Sequence, residues 1–368
     1  MTDPRLTTLA DTLPQSVPFV GPEAQERARG RRFVARIGAN ESVLGPSPKA
    51  IDAMRAAAAD AWMYGDPESH DLRHALAAAH DVSPRNVVVG EGIDSLLGYL
   101  VRLTVASGDA VVTSDGAYPT FNYHVTGYGG VLHKVPYRND HEDLEALIET
   151  ARRVRARLIY VANPDNPMGS WHGTEAMRAA IEAVPEECLL VLDEAYAEFA
   201  PEVVSPPVAP ENRRVIRLRT FSKAYGMAGA RVGCAIGDQE LIGAFEKVRN
   251  HFGMSRIAQA GALAALGDQD WLEEVRQRTA DARRRIAGIA EACGMVALPS
   301  ATNFVAVDCG RDVAFARAVL QRLVAHDIFV RMPFAAPGDR CIRVGCGTEA
   351  DLQHLASALP TALTEAGR

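Results

Sequence analysis

Residues 220–233, TFSKAYGMAGARVG, set one lysine among hydroxyls, glycines and an arginine. Lysine is rare in this chain, with 4 lysines against 35 arginines, so a plain positive charge is generally supplied by arginine. Lys223 has a chemical reason to be an exception, because an imine needs an amine that can lose its proton and a guanidinium cannot do so. The stretch therefore favours a lysine that binds the aldehyde of a phosphate-bearing cofactor over a solvated surface lysine.

The composition is that of a large globular chain. With 368 residues, 48% of them hydrophobic, it exceeds the length at which one core usually splits, which predicts two domains. The net charge of -7 provides no basic field for nucleic acid. Residues 1–15 lack a signal pattern and no apolar run is long enough for a bilayer, so we expect a cytoplasmic protein with no membrane partner. The six cysteines show no CxxC pair or zinc spacing, so no metal site is predicted.

Short apolar runs alternate with amphipathic stretches from about residue 48 to residue 268, which predicts an α/β domain with buried parallel strands. The predicted strands are residues 86–89, 110–113, 157–162, 188–192, 214–218 and 232–236. A long helix at 270–293 precedes a smaller α+β region with strands at 303–307, 328–331 and 341–344 and helices at 313–325 and 349–358. The proline-rich residues 201–212 are expected to form a surface loop.

Polar side chains follow three consecutive predicted strands. Asn166 lies in the turn NPDNPMG (163–169), Asp193 follows 188–192 directly, and Lys223 follows 214–218. Ligands of open parallel sheets bind at this edge. A buried carboxylate such as Asp193 needs a cation to stay ionised, and a pyridinium nitrogen would be one. A magnesium ligand or a helix cap are the alternatives, although no GxxxxGK[ST] loop supports magnesium.

Two segments suit an anion such as phosphate. Ser222 and Arg231 offer a hydroxyl and a bidentate guanidinium. Residues 87–95, VVVGEGIDS, predict a strand, a glycine turn and a helix start with free backbone amides. The same segment imitates a dinucleotide-binding fingerprint whose third glycine is replaced by Ser95, so a nicotinamide cofactor is a rival interpretation.

Together these motifs resemble the fold-type-I pyridoxal-phosphate aminotransferases, and within them the histidinol-phosphate aminotransferase-like group. Residues 163–169 are similar to the NPNNPTG turn, 193–196 to DEAY, and 220–233 to the SK-x(5)-G-x-R-x-G segment. The resemblance implies pyridoxal 5'-phosphate as cofactor and an aspartate-aminotransferase-like α/β fold. In that fold a large domain (45–270), with a mostly parallel sheet flanked by helices, joins a small α+β domain (271–368), and an N-terminal arm (1–44) packs with the small domain.

The resemblance also implies roles around the cofactor ring. Lys223 would form the imine with the cofactor aldehyde and shuttle protons, and Asp193 would hold the pyridine nitrogen protonated. Asn166 and Tyr196 would bind the ring's 3-oxygen, and Phe121 would stack on the ring. Catalysis is thus expected from Lys223, Asp193 and Tyr196.

The cofactor phosphate would be bound by two sets of donors. By the same resemblance these are the hydroxyls and guanidinium of Thr220, Ser222 and Arg231 and the amides of Ile93, Asp94 and Ser95. Tyr64 resembles the tyrosine that reaches the phosphate of the neighbouring subunit. That implies a homodimer with shared active sites.

On the substrate side, Arg343 resembles the arginine that binds the substrate carboxylate, and Arg331 the one that faces its anionic end. Asn40 begins NESVLGP, which stands where the family has NENP-x-G-P. Phe19 stands where the group has a tyrosine whose hydroxyl faces the substrate phosphate. The expected substrate therefore stays open between histidinol phosphate and an aromatic amino acid.

The expected activity is transfer of an amino group from such a donor to a 2-oxo acid such as 2-oxoglutarate. A decarboxylase of the threonine-phosphate type or a carbon-sulfur lyase would use the same residues, because these enzymes differ in which substrate bond stands perpendicular to the ring. A cofactor-binding regulator of this family would carry a DNA-binding domain at its front. About 45 residues precede the large domain here, and no helix-turn-helix can be fitted to them.

Overall fold

The computed structural model describes residues 5–14, 20–201 and 203–367. Within these ranges the chain forms twelve strands and thirteen α-helices, numbered here in chain order. The strands β1–β12 are Ala35–Arg36, Val87–Gly90, Ala110–Ser114, Val131–Val135, Leu158–Ala162, Leu189–Asp193, Val215–Thr220, Gly233–Ile236, Val296–Ala297, Phe304–Asp308, Ile328–Phe329 and Cys341–Gly345. The helices α1–α13 are Thr8–Thr12, Pro22–Arg29, Pro48–Ala57, His70–Ala79, Ile93–Thr104, Pro119–Gly127, Leu144–Val154, Thr174–Ala183, Gln239–Ala244, Arg256–Leu266, Gln269–Ala292, Val313–Ala325 and Glu349–Ala366.

The large sheet has seven strands in the order β2-β8-β7-β6-β5-β3-β4. Strand β8 is antiparallel to both of its neighbours, and the other strands run in one direction. The carboxyl ends of β2, β3, β5, β6 and β7 therefore meet at one edge. This arrangement confirms the expected α/β fold with a mostly parallel sheet.

Both faces of this sheet are covered, which explains why its strands read as continuous apolar runs. In β5, Leu158 and Tyr160 pack with α5 and α6 on one face, whereas Ile159 and Val161 pack with α7 and α8 on the other. All five residues of β5 and of β6 are buried. A third cluster joins α3, α4 and α10 to β2 and β8.

The second sheet is small and antiparallel, in the order β12-β10-β9, and α11, α12 and α13 pack around it. Strand β1 pairs in parallel with β11, so the segment before α3 joins this smaller unit. The backbone N–H of Gly345 also donates to the carbonyl of Ile37 over 2.6 Å. The domain boundaries at residues 44 and 270 stay predictions.

The six strands expected in the large domain form within one or two residues of their predicted bounds. Strand β4 was not predicted, because this edge strand has one buried residue and mixes polar with apolar residues. Helix α13 runs eight residues beyond the predicted end at 358 and contains Pro360. Of the helices in the described ranges, none has the length and apolar character that a membrane span needs.

Candidate active site

A cavity of about 590 Å³ opens at the carboxyl edge of the parallel strands, between the two sheets. The large-domain wall is defined here as Asp193, Thr220, Ser222, Lys223 and Arg231, and the small-domain wall as Arg331, Phe334 and Arg343. The sequence-predicted residues that line this cavity are Asn40, Ile93, Asp94, Asn166, Asp193, Tyr196, Thr220, Ser222, Lys223, Arg231, Arg331 and Arg343.

Lys223 lies three residues past the end of β7, with its amine in the cavity. Its Nζ donates to the backbone carbonyl of Asn40 over 3.2 Å and lies 5.6 Å from the centre of the Tyr196 ring. Asn40 in turn donates from Nδ2 to the hydroxyl of Tyr196 over 3.1 Å. No carboxylate among the described residues forms an ion pair with this lysine, so its amine is available to a ligand.

Asp193 ends β6 and is buried. Its Oδ2 accepts from the hydroxyl of Tyr160 over 2.7 Å and its Oδ1 from the amide of Ala195 over 3.0 Å. Burial raises the pKa of Asp193 to about 6, although both donors oppose that rise. A cation at this position would restore the ordinary pKa, which fits a protonated ring nitrogen.

The next residue, Glu194, is tied into the protein interior. It accepts from Arg217 over 2.6 Å and from Arg219 over 3.0 Å. Burial acts to raise the pKa of Glu194, but the two arginines outweigh it and lower the pKa to about 2. These ion pairs fix the turn after β6. Glu194 therefore stabilises the fold, whereas the neighbouring Asp193 lines the cavity.

Hydroxyls, a guanidinium and a helix start converge on one end of the cavity. Thr220 Oγ1 donates to Ser222 Oγ over 3.0 Å, and Arg231 Nη1 donates to the same oxygen over 3.2 Å. Helix α5 begins opposite, after Gly92, whose φ is 88°. A Cβ at Gly92 would lie 2.6 Å from Arg231 Nη2, so the close approach needs glycine. This donor set fits a phosphate group.

Two arginines form the far side of the cavity. Residues 331 and 343 face each other across an antiparallel bridge, and both side chains line the cavity. Arg343 Nη1 donates to Asn166 Oδ1 over 2.6 Å, and Arg331 Nη2 donates to the carbonyl of Val20 over 2.9 Å. Burial lowers the pKa of Arg343 to about 10. The site thus places two cations opposite Lys223, where an anionic substrate would be attracted.

Phe121, which was predicted to stack on the cofactor ring, does not line the cavity in this structure. Its ring has no exposed surface and stacks on Tyr160, with ring centres 4.6 Å apart. The reason is the start of α6 at Pro119, which turns Phe121 into the core and leaves Tyr118 in the cavity wall. The hydroxyl of Tyr118 donates to Asp94 Oδ1 over 2.9 Å. Tyr118 is therefore the aromatic residue of α6's start that faces the ligand space.

Two other predicted residues, Ser95 and Tyr64, do not line the cavity. Only its position in the first turn of α5 links Ser95 to the anion site. Tyr64 is 75% exposed outside the cavity and packs against Phe252, with ring centres 4.8 Å apart. Phe19 lies outside the described residues.

Sequence reasoning missed Tyr118, Tyr160 and Phe334. Tyr160 carried a weak signal, since a tyrosine inside an otherwise aliphatic buried strand needs a hydrogen-bond partner. Phe334 is 59% exposed at the cavity mouth, and no sequence pattern marks it.

Comparisons with known proteins agree with this geometry. The model of the family "aminotransferase class I and II" matches residues 34–359. The chain is 33% identical to a histidinol-phosphate aminotransferase of Moorella thermoacetica, over 92% of this chain and 87% of the relative. Among solved structures, it is similar to histidinol-phosphate aminotransferase from Sinorhizobium meliloti in complex with pyridoxal-5'-phosphate. The two sequences are 54% identical, and the structural alignment covers 98% of both chains with a TM-score of 0.95.

A more distant solved structure shares the fold alone. The aspartate aminotransferase of Thermus thermophilus with maleate is 23% identical and aligns over 97% of this chain and 99% of its own, with a TM-score of 0.81. The expected aspartate-aminotransferase-like fold is thereby confirmed. With the family match spanning both sheets and the cavity between them, the chain belongs to the class I and II aminotransferases.

Proposed function

We propose that this aminotransferase uses pyridoxal 5'-phosphate to move the amino group of histidinol phosphate to a 2-oxo acid such as 2-oxoglutarate. The observation that carries the proposal is the convergence of Lys223, Asp193 and the Ser222–Arg231 anion site in one cavity that also presents two arginines. Similarity to the histidinol-phosphate aminotransferases of Moorella and Sinorhizobium favours histidinol phosphate over an aromatic amino acid as donor.

The large-domain wall fits the cofactor. Its phosphate would be held by Ser222, Thr220, Arg231 and the first amides of α5, and its ring nitrogen by Asp193. Asn166 and Tyr196 would donate to the ring's 3-oxygen, and Tyr118 would face the ring. When bound, the ring accepts the electrons of the bond that breaks at the substrate's α-carbon. A buried Asp193 is suited to this chemistry because a carboxylate in a dry site holds a cationic nitrogen strongly.

Lys223 has two tasks in this proposal. Its Nζ would hold the cofactor through the aldehyde until the substrate's amine displaces it, and the freed amine would then take a proton from the substrate's α-carbon. The 3.2 Å contact between Nζ and the Asn40 carbonyl holds the amine at the cavity floor. Asn40, which also donates to Tyr196, is thus a positioning residue for both groups.

The small-domain wall fits the substrate anions. Arg343 would bind the carboxylate of the 2-oxo acid, because its planar fork matches two oxygens, and Arg331 would bind the phosphate of histidinol phosphate or the second carboxylate of the 2-oxo acid. Phe19, which stands where the group has a tyrosine that faces the substrate phosphate, is kept as a proposed substrate-binding residue.

The enzyme would act as a homodimer. The aromatic residues Trp62, Tyr64 and Phe252 are 81%, 75% and 54% exposed, which is unusual for solvent-facing side chains on one surface. A second copy covering this surface would bring Tyr64 towards the partner's cofactor phosphate. Light scattering of the purified protein tests the dimer, and a monomer would remove the role of Tyr64. The cytoplasmic location stays a prediction.

An absorbance experiment tests the function. L-Histidinol phosphate, L-glutamate and an aromatic amino acid are added in separate cuvettes to protein loaded with the cofactor. We expect histidinol phosphate to bleach the visible cofactor band and 2-oxoglutarate to restore it. Bleaching by the aromatic amino acid alone would mean that the donor is an aromatic amino acid. Release of carbon dioxide without recovery of the band would mean that the reaction is decarboxylation and not transamination.

A further inference from the structure

A buried asparagine next to the small sheet, Asn303, binds the same backbone oxygen as Lys223. Asn303 directly precedes β10 and is 3% exposed. Its Nδ2 donates to the carbonyl of Asn40 over 3.1 Å and to that of Glu41 over 3.3 Å. The carbonyl of Asn40 also accepts from the amine of Lys223, over 3.2 Å. Because a peptide oxygen has two lone pairs, it can accept both hydrogen bonds at once.

The backbone at Asn40 is in a conformation that needs support from its surroundings. Its φ of 58° lies in the left-handed region, which residues other than glycine rarely adopt, although asparagine tolerates it better than most. Such a conformation persists where the neighbouring structure holds it. Asn303 holds two consecutive carbonyls of this turn, and the side chain of Asn40 donates to the hydroxyl of Tyr196 over 3.1 Å. The direction of the Asn40 carbonyl therefore depends on Asn303.

The side chain of Asn303 is not needed to anchor its own strand. The carbonyl of Asn303 accepts from the amide of Cys346 over 2.8 Å, which ties the start of β10 to the segment after β12. The side-chain Oδ1 is buried and has no partner among the described residues. A buried acceptor without a partner lowers stability, and turning the amide over would place this oxygen against two carbonyls. This unfavourable oxygen accompanies Nδ2, so the donor is the part of the side chain with a task.

Lys223 depends on the Asn40 carbonyl for its position. Its amine lies on a flexible four-carbon stem, and among the described residues this carbonyl is its hydrogen-bond acceptor. In the proposed reaction the amine is free once the donor has displaced it from the cofactor aldehyde, and it must then take a proton from the α-carbon. A misplacement of about 1 Å can cost on the order of 100-fold in the rate of such a step.

We propose that Asn303 is a positioning residue for proton transfer at Lys223, a role that rests on the function proposed above. It holds the carbonyl of Asn40 where that oxygen receives the free amine. Asn303 does not line the cavity, so it acts through Asn40 and not on substrate or cofactor. The next residue, Phe304, packs edge-on against the ring of Tyr196, with ring centres 5.5 Å apart. The start of β10 thus supports two groups on the opposite side of the cavity.

The position of the lysine is measured in the apoenzyme, without cofactor or donor. The chain has 4 lysines, so labelling with ε-13C-lysine gives few NMR signals, and Lys223→Ala identifies that of Lys223 by its loss. We expect restricted motion of this ε-methylene in the wild type. In Asn303→Leu, which has a similar volume but no donor, it should move as freely as that of exposed Lys247. Asn86→Leu is the matched control, because it removes a similar buried bond, from Asn86 Nδ2 to the carbonyl of Gly237 over 2.9 Å, away from the cavity. Equal mobility of Lys223 in the wild type and in Asn303→Leu would overturn the proposal.

The loaded enzyme provides a second readout. Stopped-flow absorbance follows the bleaching of the visible cofactor band by saturating L-histidinol phosphate, with hydrogen or deuterium at the α-carbon. Loss of folded protein reduces the amplitude, whereas a misplaced lysine reduces the rate constant. We expect Asn303→Leu to lower the rate constant about 10- to 100-fold, with an isotope effect at least as large as that of the wild type. The donor concentration for half-maximal rate should stay within about threefold. Asn86→Leu should match the wild type. An unchanged rate constant in Asn303→Leu, or a lowered one without an isotope effect, would overturn the proposal.

The two readouts separate the possible failures. If circular dichroism shows that Asn303→Leu does not fold, Asn303→Ala removes the same donor from a smaller side chain, and the same results are expected. If histidinol phosphate does not bleach the band while Lys223 is immobile in the wild type and mobile in Asn303→Leu, the proposed donor is wrong and the positioning role of Asn303 stands. If histidinol phosphate bleaches the band and 2-oxoglutarate restores it, but Asn303→Leu matches the wild type in lysine mobility and rate constant, the inference about Asn303 alone is wrong.

Discussion

The two walls of the cavity are built differently. On the large-domain wall, Asp193 accepts two hydrogen bonds and Ser222 joins Thr220 to Arg231, so the polar groups are held in place by one another. On the small-domain wall, Arg343 contacts Asn166 and Gly38 but leaves its Nε without a partner among the described residues. The difference suits a cofactor that stays bound on one side and substrates that exchange on the other.

The largest expected effect concerns the one amine on the large-domain wall. Lys223→Ala removes the group that we propose binds the cofactor aldehyde and moves the proton, so kcat should fall by at least ~10³-fold. The visible band of the bound cofactor should be lost at the same time, as absorbance of the reconstituted variant will show. Lys247→Ala, which also removes one of the few lysines but outside the cavity, is the matched control and should retain both. Substantial turnover by the Lys223 variant would contradict the mechanism.

Arg231→Ala tests whether the large-domain wall holds the phosphate. Loss of a charge-assisted donor to a phosphate should weaken cofactor binding about 30-fold, measured by titrating the apoenzyme and following tyrosine and tryptophan fluorescence. Saturating cofactor should restore most of the activity. An unchanged cofactor Kd would mean that the anion site binds something else.

Asp193, on the large-domain wall, should make the stability of the apoenzyme depend on pH. Its pKa of about 6 in the folded protein exceeds the unfolded value of about 3.9, so the folded state binds this proton more tightly. The resulting stabilisation is present at low pH and is lost as the pH rises from about 4 to about 6. Relative to Asp193→Asn, the wild-type apoenzyme should lose up to about 2 kcal/mol of unfolding free energy over that range. Urea unfolding at pH 4.5 and pH 7 measures it, and identical pH trends in both proteins would refute it.

The smallest expected effect distinguishes Tyr118 from Phe121. Tyr118→Phe loses the hydrogen bond to Asp94 next to the anion site, which should weaken cofactor binding about fivefold. Phe121→Leu changes a fully buried core residue, so it should lower the unfolding free energy by about 1 kcal/mol and leave the cofactor Kd unchanged. Fluorescence titration and urea unfolding provide the two readouts. If Phe121→Leu weakened cofactor binding more than Tyr118→Phe does, Phe121 would be the residue that stacks on the cofactor ring.

The sequence predicted the large-domain wall better than the rest of the site. Asp193 and Lys223 follow long buried strands of a parallel sheet, and that topology alone brings strand ends together. The orientation of Tyr118 could not be predicted, because it depends on where α6 begins and on how Phe121 packs against Tyr160. The pairing of Arg331 with Arg343 needs a bridge between segments of the small domain, and the edge strand β4 has too little apolar character to be recognised.

The division of tasks between the walls is tested most directly by measuring two dissociation constants in Arg231→Ala and Arg343→Ala, one for the cofactor and one for glutarate, a dicarboxylate that resembles 2-oxoglutarate but lacks its reactive keto group. We predict that Arg231→Ala weakens the cofactor about 30-fold, whereas Arg343→Ala leaves cofactor affinity within about twofold and weakens glutarate at least ~10-fold. If Arg343→Ala weakened the cofactor as strongly as Arg231→Ala does, the two walls would not be separate in function and the account would be contradicted.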